Sequence, residues 1–558
     1  MSTKRGGLFT TIATKKPKKS LFDLSFDNKL SLDMGKLVPI LTQEVVPGDK
    51  FQLQAQIMLR FAPMLAPIMH RVDVYTHYFF VPNRLIWNDW EDFITGGKDG
   101  TLAPVPPHFN MFETKMNGKG DLLKPGTLFD YIGCPAVSNP TIINSGVGAS
   151  SISSLPFRAY QLIYNEYYRD QNLMDEVDFG KGSGKENHAI IEKLLSLRNR
   201  CWQKDYFTSA LPWTQRGVEV SLPIAGEANV IANSQAASGT NSAHFRAIYA
   251  QNGTIPANGT LETDTQGNIL ANVGTDNGPI RIVPVAGLDG EYPLIADLEN
   301  ATAVTMNELR RAEKLQQWLE KNARGGARYV EQILSHFGVV SSDARLQRPE
   351  YLGGGKTPVV ISEVLQTSAS QEDSAQANPA GNGISVGTSH RFNKYFEEHG
   401  FIIGIMSVLP KTAYQQGLPR MFQREDKFDY YYPEFAHLGE QEVLNSEVYL
   451  DPTAADSQYN KGTFGYQSRY AEYKYNPDTV HGDFRESLNF WHLGRIFNTA
   501  GPDGEGVGRP VLNKEFVESS PSNRIFNVTT DDVNHLWAEV YQDIKAIRPM
   551  PKYGTPQF

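Results

Sequence analysis

Between Phe51 and Phe61 the chain alternates with a period of two. Phe51, Leu53, Ala55, Ile57, Leu59 and Phe61 fall on one side, and Gln52, Gln54, Gln56, Met58 and Arg60 on the other. Successive side chains of a strand point to opposite faces, so this pattern predicts a long strand with one buried face. Pro47-Gly48-Asp49 before it predicts a turn. Arg71 to Val81 (RVDVYTHYFFV), rich in β-branched and aromatic residues, predicts a second strand. Phe401 to Leu409 and His535 to Pro549 predict a third and a fourth. Strong strands thus stand near both ends and deep in the middle. Pairing them needs long-range contacts, as in a β-sandwich closed by distant segments.

A different period marks the helices. Ser154-Leu155-Pro156 predicts a helix start, with proline where a missing N–H costs nothing. Phe157, Tyr160, Tyr164 and Tyr167 then share one side. Glu186 to Arg198 is a second candidate. Thr305 to Arg324 is the clearest: Thr305-x-x-Glu308 fits a capping box, Leu309, Ala312, Leu315 and Leu319 form a stripe, and Gly325-Gly326 ends it. Arg328 to Phe337 predicts a short fourth helix stopped at Gly338. Gly226 to Asn300, rich in Gly, Asn, Ala and Thr, reads as a large surface insertion with short strands such as Pro279 to Val285. Thr367 to Ser389 reads as a flexible loop.

Composition sharpens this picture. Of 558 residues, 48 are Gly and 33 Pro, which favours a loop-rich protein over a helical bundle. The net charge is −9, but residues 1–20 hold Lys4, Arg5, Lys15, Lys16, Lys18 and Lys19 and no acid. The arm is therefore +6 and the remainder −15 (−9 less +6). A basic arm on an acidic body suits contact with a polyanion; the plain alternative is a solvated terminus. Two cysteines, Cys134 and Cys201, make neither a disulfide framework nor a CxxC metal site, and read as free thiols of a reducing compartment. The longest apolar run, Phe401 to Leu409, falls short of the ~18 residues of a membrane span. No secretory h-region opens the chain, which reads as soluble and made in a cytoplasm.

Candidate chemistry is thin. Gly383-Ile384-Ser385-Val386-Gly387 matches the nucleophile elbow, but no strand is expected before it. Gly353-Gly354-Gly355-Lys356-Thr357 resembles the end of a phosphate loop. Glu350 stands where the first glycine belongs, so a glycine turn is the better reading. His70 and His77, seven apart with Asp73 between, would point to opposite faces of a strand. No catalytic residue, metal ligand or cofactor is assigned. Tyr466, Tyr470, Tyr473 and Tyr475, interleaved with Arg469 and Lys474, could stack single-stranded nucleic acid. Packing within a sandwich is the favoured reading of those tyrosines.

Several blocks resemble the major capsid protein of microviruses, specifically the gokushovirus-type branch of these single-stranded DNA bacteriophages. They are Gly35 to Asp49, Tyr78 to Trp90, Leu155 to Leu173, Asp205 to Gly217, Ala323 to Gly353, Tyr466 to Tyr475 and Arg548 to Gly554. The departures concentrate in Gly226 to Asn300 and Thr367 to Ser389. The resemblance implies a mainly β fold, an eight-stranded antiparallel jelly roll with long loop insertions and several helices. It divides the chain into an interior basic arm (1–20), a first jelly-roll part (21–225), a threefold surface protrusion (226–300) and a second part (301–558). It implies a T=1 shell of 60 copies around a circular single-stranded DNA genome. It also implies no enzymatic activity, assembly in the bacterial host cytoplasm and residence in the virion. Expected partners are the DNA, a small basic DNA-associated protein, an internal scaffolding protein, a pilot protein and a host surface receptor, without membrane insertion. Lys4, Arg5, Lys15, Lys16, Lys18 and Lys19 are the expected DNA contacts, and the receptor contact is expected within Gly226 to Asn300. The alternative is a glycan-binding, lectin-like jelly roll, since that fold also serves lectins.

Overall fold

The computed structural model of the chain describes residues 17–111, 120–136, 151–218, 220, 306–365, 379–389, 391–452, 458–497, 508–530 and 533–553, and six strand segments between 229 and 297. It is mainly β, with antiparallel sheets and several helices. The strands of the central sandwich are β1 (Ser20–Asp23), β2 (Phe26–Leu32), β3 (Val38–Val45), β4 (Lys50–Phe61), β5 (Val72–Pro82), β6 (Glu350–Pro358), β7 (Val360–Leu365), β8 (Pro379–Thr388), β9 (Phe392–Tyr395), β10 (Gly400–Pro410) and β11 (Leu536–Arg548). Four helices matter here: α1 (Leu155–Ile163), α2 (His188–Leu195), α3 (Met306–Gly325) and α4 (Tyr329–Phe337).

In the first sheet β4 and β11 pair from Phe61↔Leu536 to Lys50↔Ile547. On the far side of β11 lie β1 and β2; on the far side of β4 lie β9 and β8, with β7 at the edge. The second sheet runs β6-β5-β10-β3. The alternation of β4 does what its period requires. Phe51, Leu53, Ala55, Ile57, Leu59 and Phe61 enter a core shared with Val38, Val74, Ile402 and Met406 of the second sheet. Gln56, Met58 and Arg60 are left exposed on the other face.

β10 shows no alternation because both of its faces are buried. Ile402, Met406 and Val408 join the inter-sheet core. Ile403 and Ile405 join a second core with Phe79 and Val81 of β5, covered by Phe157, Tyr160 and Ile163 of α1 and Ile191 and Leu194 of α2. A helical layer thus closes the second sheet, and α1 continues into a π-helical turn at Tyr164–Tyr168. The tyrosine stripe of α1 is buried at Tyr160 and Tyr164, while Tyr167 is part-buried. Asn187 caps α2 by accepting from Ile190 N. Gly338 ends α4 in the left-handed region, φ 67°. Thr305 and the capping box it would begin lie outside the described residues.

Two expectations are corrected. Gly353–Thr357 is not a turn: it lies within β6, paired with β5 from Gly353↔Tyr78 to Thr357↔Val74. Glycine is needed at 354 because a Cβ there would stand 2.3 Å from the Thr76 carbonyl oxygen. Thr367–Ser389 is not all loop: β8 occupies Pro379–Thr388 between β7 and β4. Ser385 is accordingly a buried strand residue whose Oγ donates to the Pro358 carbonyl at 3.0 Å, not a raised nucleophile.

Gly217–Leu319 forms a separate compact unit. Its described strands form a nested antiparallel ladder: Asn229–Ala232 pairs Leu294–Asp297, Arg246–Tyr249 pairs Ile280–Val283, and Thr260–Thr263 pairs Ile269–Asn272. Each inner pair closes a shorter loop than the one outside it, so the stem zips at little added entropic cost.

Candidate assembly and nucleic-acid surfaces

Of the six arm cations, Lys4, Arg5, Lys15 and Lys16 lie outside the described residues. Lys18 and Lys19 are exposed. Lys19 Nζ donates to the Gly48 carbonyl at 2.7 Å and sits 5.0 Å from the Tyr395 ring centroid. The next residue starts β1, whose Ser20 pairs with Arg548 of β11. The arm therefore leaves from one end of the first sheet, beside the β3–β4 turn. That end is stiff. Asp49 is fully buried and receives Arg548 Nη2 at 2.9 Å and Nε at 3.2 Å, while its Oδ2 accepts from Val46 N at 3.0 Å. Guanidinium and carboxylate thus fasten the last sandwich strand to the turn.

The interleaved tyrosines of 464–475 are mostly packing groups. Phe464 meets Phe516 edge-on at 4.9 Å between centroids. Tyr475 stacks on Tyr206 at 6.0 Å and 12°. Tyr470 is buried at φ 61° and carries the Arg469 guanidinium at 4.8 Å. Tyr473, half exposed, holds Arg424 at 4.4 Å, and Tyr430 flanks the same guanidinium at 5.0 Å. These aromatic faces are already occupied by arginines of the same chain.

A larger aromatic surface was not singled out from sequence. Met421, Phe422, Phe428, Tyr430, Tyr431, Tyr432 and Leu438 are all substantially exposed, in a stretch held by short 3-10 turns. The run Tyr430-Tyr431-Tyr432 among Arg, Lys, Asp and Glu was the available signal. A second exposed apolar stretch lies on α4.

Beside the second sheet lies a cavity of about 870 Å³. Tyr75, His77, Tyr168, Arg200 and Tyr351 are among its lining residues. Arg200 stands 4.0 Å from the Tyr75 ring and donates to Ser407 Oγ at 2.8 Å. His77 Nδ1 is 2.8 Å from the Tyr168 hydroxyl, and burial, then the Arg200 charge, push its pKa down to about 4. His70 is not brought to it: its Nε2 meets the Lys411 carbonyl at 2.7 Å, and Asp73 pairs with Lys356 at 2.9 Å. Cys201 also lines the cavity; burial lifts its thiol to about 11, away from nucleophilic use, and its Sγ donates to the Tyr168 carbonyl at 3.3 Å. Cys134 is likewise a free thiol. Among the described residues, no group of three or more His, Cys, Asp and Glu is placed to hold a metal ion.

Apolar and aromatic side chains left exposed in two stretches suit contact with other chains, as expected of an assembling structural subunit. The family model described as capsid protein (F protein) matches residues 10–558. Capsid protein VP1 of Bdellovibrio phage phiMH2K is 38% identical, over 98% of this chain and 97% of its own. VP1 of Chlamydia phage 1 is 35% identical over 98% and 97%, and VP1 of Spiroplasma virus 4 is 30% identical over 94% and 93%. The chain belongs to the phage capsid protein (F protein) family, as a virion structural protein of the microvirus, gokushovirus-like type. A capsid protein assembles with copies of itself.

Proposed function

We propose that the protein is the major capsid subunit of a T=1 shell, 60 copies enclosing a circular single-stranded DNA genome. The observation that carries this reading is the family match, which runs from residue 10 in the arm through the whole sandwich. The two sheets serve as an eight-stranded jelly roll, with β1–β2, β6–β7 and β8–β9 each acting as one interrupted strand. The body assembles in the host cytoplasm with an internal scaffolding protein, and the shell also holds a small basic DNA-associated protein and a pilot protein. The alternative of a glycan-binding jelly roll has no observation in its favour.

Lys4, Arg5, Lys15, Lys16, Lys18 and Lys19 serve as DNA contacts on the inner side. Each phosphate they neutralise releases a condensed counterion. Alanine at all six should cut the DNA-filled fraction of particles about two- to threefold and make what remains less sensitive to salt, because fewer counterions are released. Lys19→Ala alone is the control, because that lysine also ties the arm to Gly48. Unchanged DNA content and yield in the six-fold variant would remove the arm from this role.

The nested ladder within Gly226 to Asn300 serves as a threefold protrusion that meets the host receptor. Replacing residues 251–279 by a short Gly-Ser turn keeps the two outer strand pairs and removes the tip. Particles should form at normal yield and adsorb at least about tenfold less, a loss of roughly 1.4 kcal/mol in binding. Normal adsorption would contradict the role. Failure to assemble would make the ladder a clamp between copies instead.

A further inference from the structure

Helix α4 is inside out. Its hydrogen-bonding residues face the body. Arg328, at the N-cap, donates from Nη2 to the Asn165 carbonyl at 2.8 Å and the Arg169 carbonyl at 3.3 Å. Glu331 accepts from Gln171 Nε2 at 2.7 Å. Gln332 Nε2 donates to the Gly326 carbonyl at 2.7 Å, and His336 Nε2 meets Asn322 Oδ1 at 2.6 Å. Positions 328, 331, 332 and 335 form one helical face; Val330, Ile333, Leu334 and Phe337 form the opposite one.

That opposite face is apolar: Val330 and Ile333 are part-buried, while Leu334 and Phe337 are left open by the described residues. No residue of α4 is buried. Tyr329 is 71% exposed, Leu334 51% and Phe337 79%; beyond the helix, Val339 is 53% and Val340 82% exposed. An amphipathic surface helix normally turns its apolar stripe inward. Here the whole stretch from Tyr329 to Val340, with Leu334 and Phe337 on the outer stripe, carries on the order of 600 Å² of mostly apolar surface, from the areas such side chains present. That is the upper end of what monomeric proteins leave open, and most of the roughly 800 Å² that one partner gives a standard interface.

We infer that the outer face of α4, with Val339 and Val340, is a contact between copies of this chain in the shell. The inference rests on the capsid reading and adds the surface to it. The occupant follows from chemistry. Residues 329–340 contain no Lys or Arg, so a phosphate backbone finds no counter-charge there. A second copy does offer apolar surface, in the exposed side chains of Met421, Phe422, Phe428, Tyr431, Tyr432 and Leu438. Such desolvated aromatic and aliphatic anchors carry most of an interface's binding energy.

The test uses the full chain in phage-producing cells, with wild-type particles as reference. Leu334→Glu with Phe337→Glu should leave soluble subunit with unchanged circular dichroism and lower particle yield at least tenfold. Particles at wild-type yield would overturn the inference. A second arm does not depend on that variant folding. Val340→Cys is labelled with a maleimide in intact particles and in dissociated subunits, and the labelled peptide is identified by mass. Labelling should be at least tenfold slower in particles, and a short thiol-to-amine crosslinker at this position should capture another copy of the capsid chain. Equal labelling, or capture of a different polypeptide, would overturn it. Absence of wild-type particles would instead overturn the shell reading on which the inference rests.

Discussion

Replacing Arg158 with methionine is expected to destabilise the subunit by about 3–5 kcal/mol. Arg158 lies on α1 with its side chain 2% exposed, opposite Glu186 at 4%. Its Nε and Nη2 donate to Glu186 Oε1 at 2.9 and 2.6 Å. Nη1 donates to the Ile86 carbonyl and Nη2 to the Gly182 carbonyl, each at 3.0 Å. Ser154 Oγ also donates to Glu186 Oε1. One guanidinium thus ties α1, the end of β5's following turn and the loop before α2 into the layer over the second sheet. Methionine fills much of the volume but leaves Glu186 a buried carboxylate with its main counter-charge gone. Adding Glu186→Leu should recover most of the loss, because the stranded charge, rather than the missing pair, is what costs. Urea unfolding midpoints of the single and double variants decide it. A single variant within about 1 kcal/mol of wild type would show that water reaches Glu186.

Acid is expected to weaken the same fold. Burial pushes His70 and His77 each down to about 4. The Lys411 carbonyl, His492, Arg524 and Asp478 act on His70, and Arg200 on His77. Folding holds both imidazoles neutral, so below their ordinary value of 6.5 the unfolded chain binds more protons. Stability from this source is complete above about pH 6.5 and drains away as the pH falls towards 4. At pH 5 the loss is about 1–2 kcal/mol per histidine. Glu447 and Glu518, whose carboxyls burial holds above their usual range, pull the other way. The histidine contribution is therefore read as the difference between wild type and a His70→Gln, His77→Gln variant. The wild-type subunit should lose more stability between pH 7 and 5 than the variant does; parallel curves would contradict the assignment.

How much of this was legible depends on what each segment packs against. β4 was plain because one of its faces is open, so burial writes an alternation into the residues. β10 was visible only as an apolar run, because two cores claim it. β8 was misread as loop because its glycines look like flexibility. They are there for close packing: a Cβ on Gly381 would stand 2.4 Å from the Ala66 carbonyl oxygen, and one on Gly383 2.8 Å from the Phe61 ring. The periodicity of α4 announced a helix correctly but not its orientation, since nothing in the period says whether the apolar face meets this chain or another. The exposed ridge at 421–438 was hidden for the same reason. Aromatics that wait for a partner look like aromatics that pack a core.

The basic arm was legible as charge alone. Lys19 shows why that is incomplete: its ammonium is already engaged by Gly48 and Tyr395, so one of the six expected DNA contacts has a structural role as well.

The central claim is that copies of this chain close a shell around single-stranded DNA. Particle mass with nuclease protection, on material purified from phage-producing cells, tests it most directly. The prediction is particles whose capsid protein amounts to 60 copies of a 62.3 kDa chain, about 3.7 MDa, holding nuclease-resistant single-stranded DNA. Soluble monomers or small oligomers without nucleic acid, persisting when the phage's scaffolding and small basic proteins are present, would contradict it.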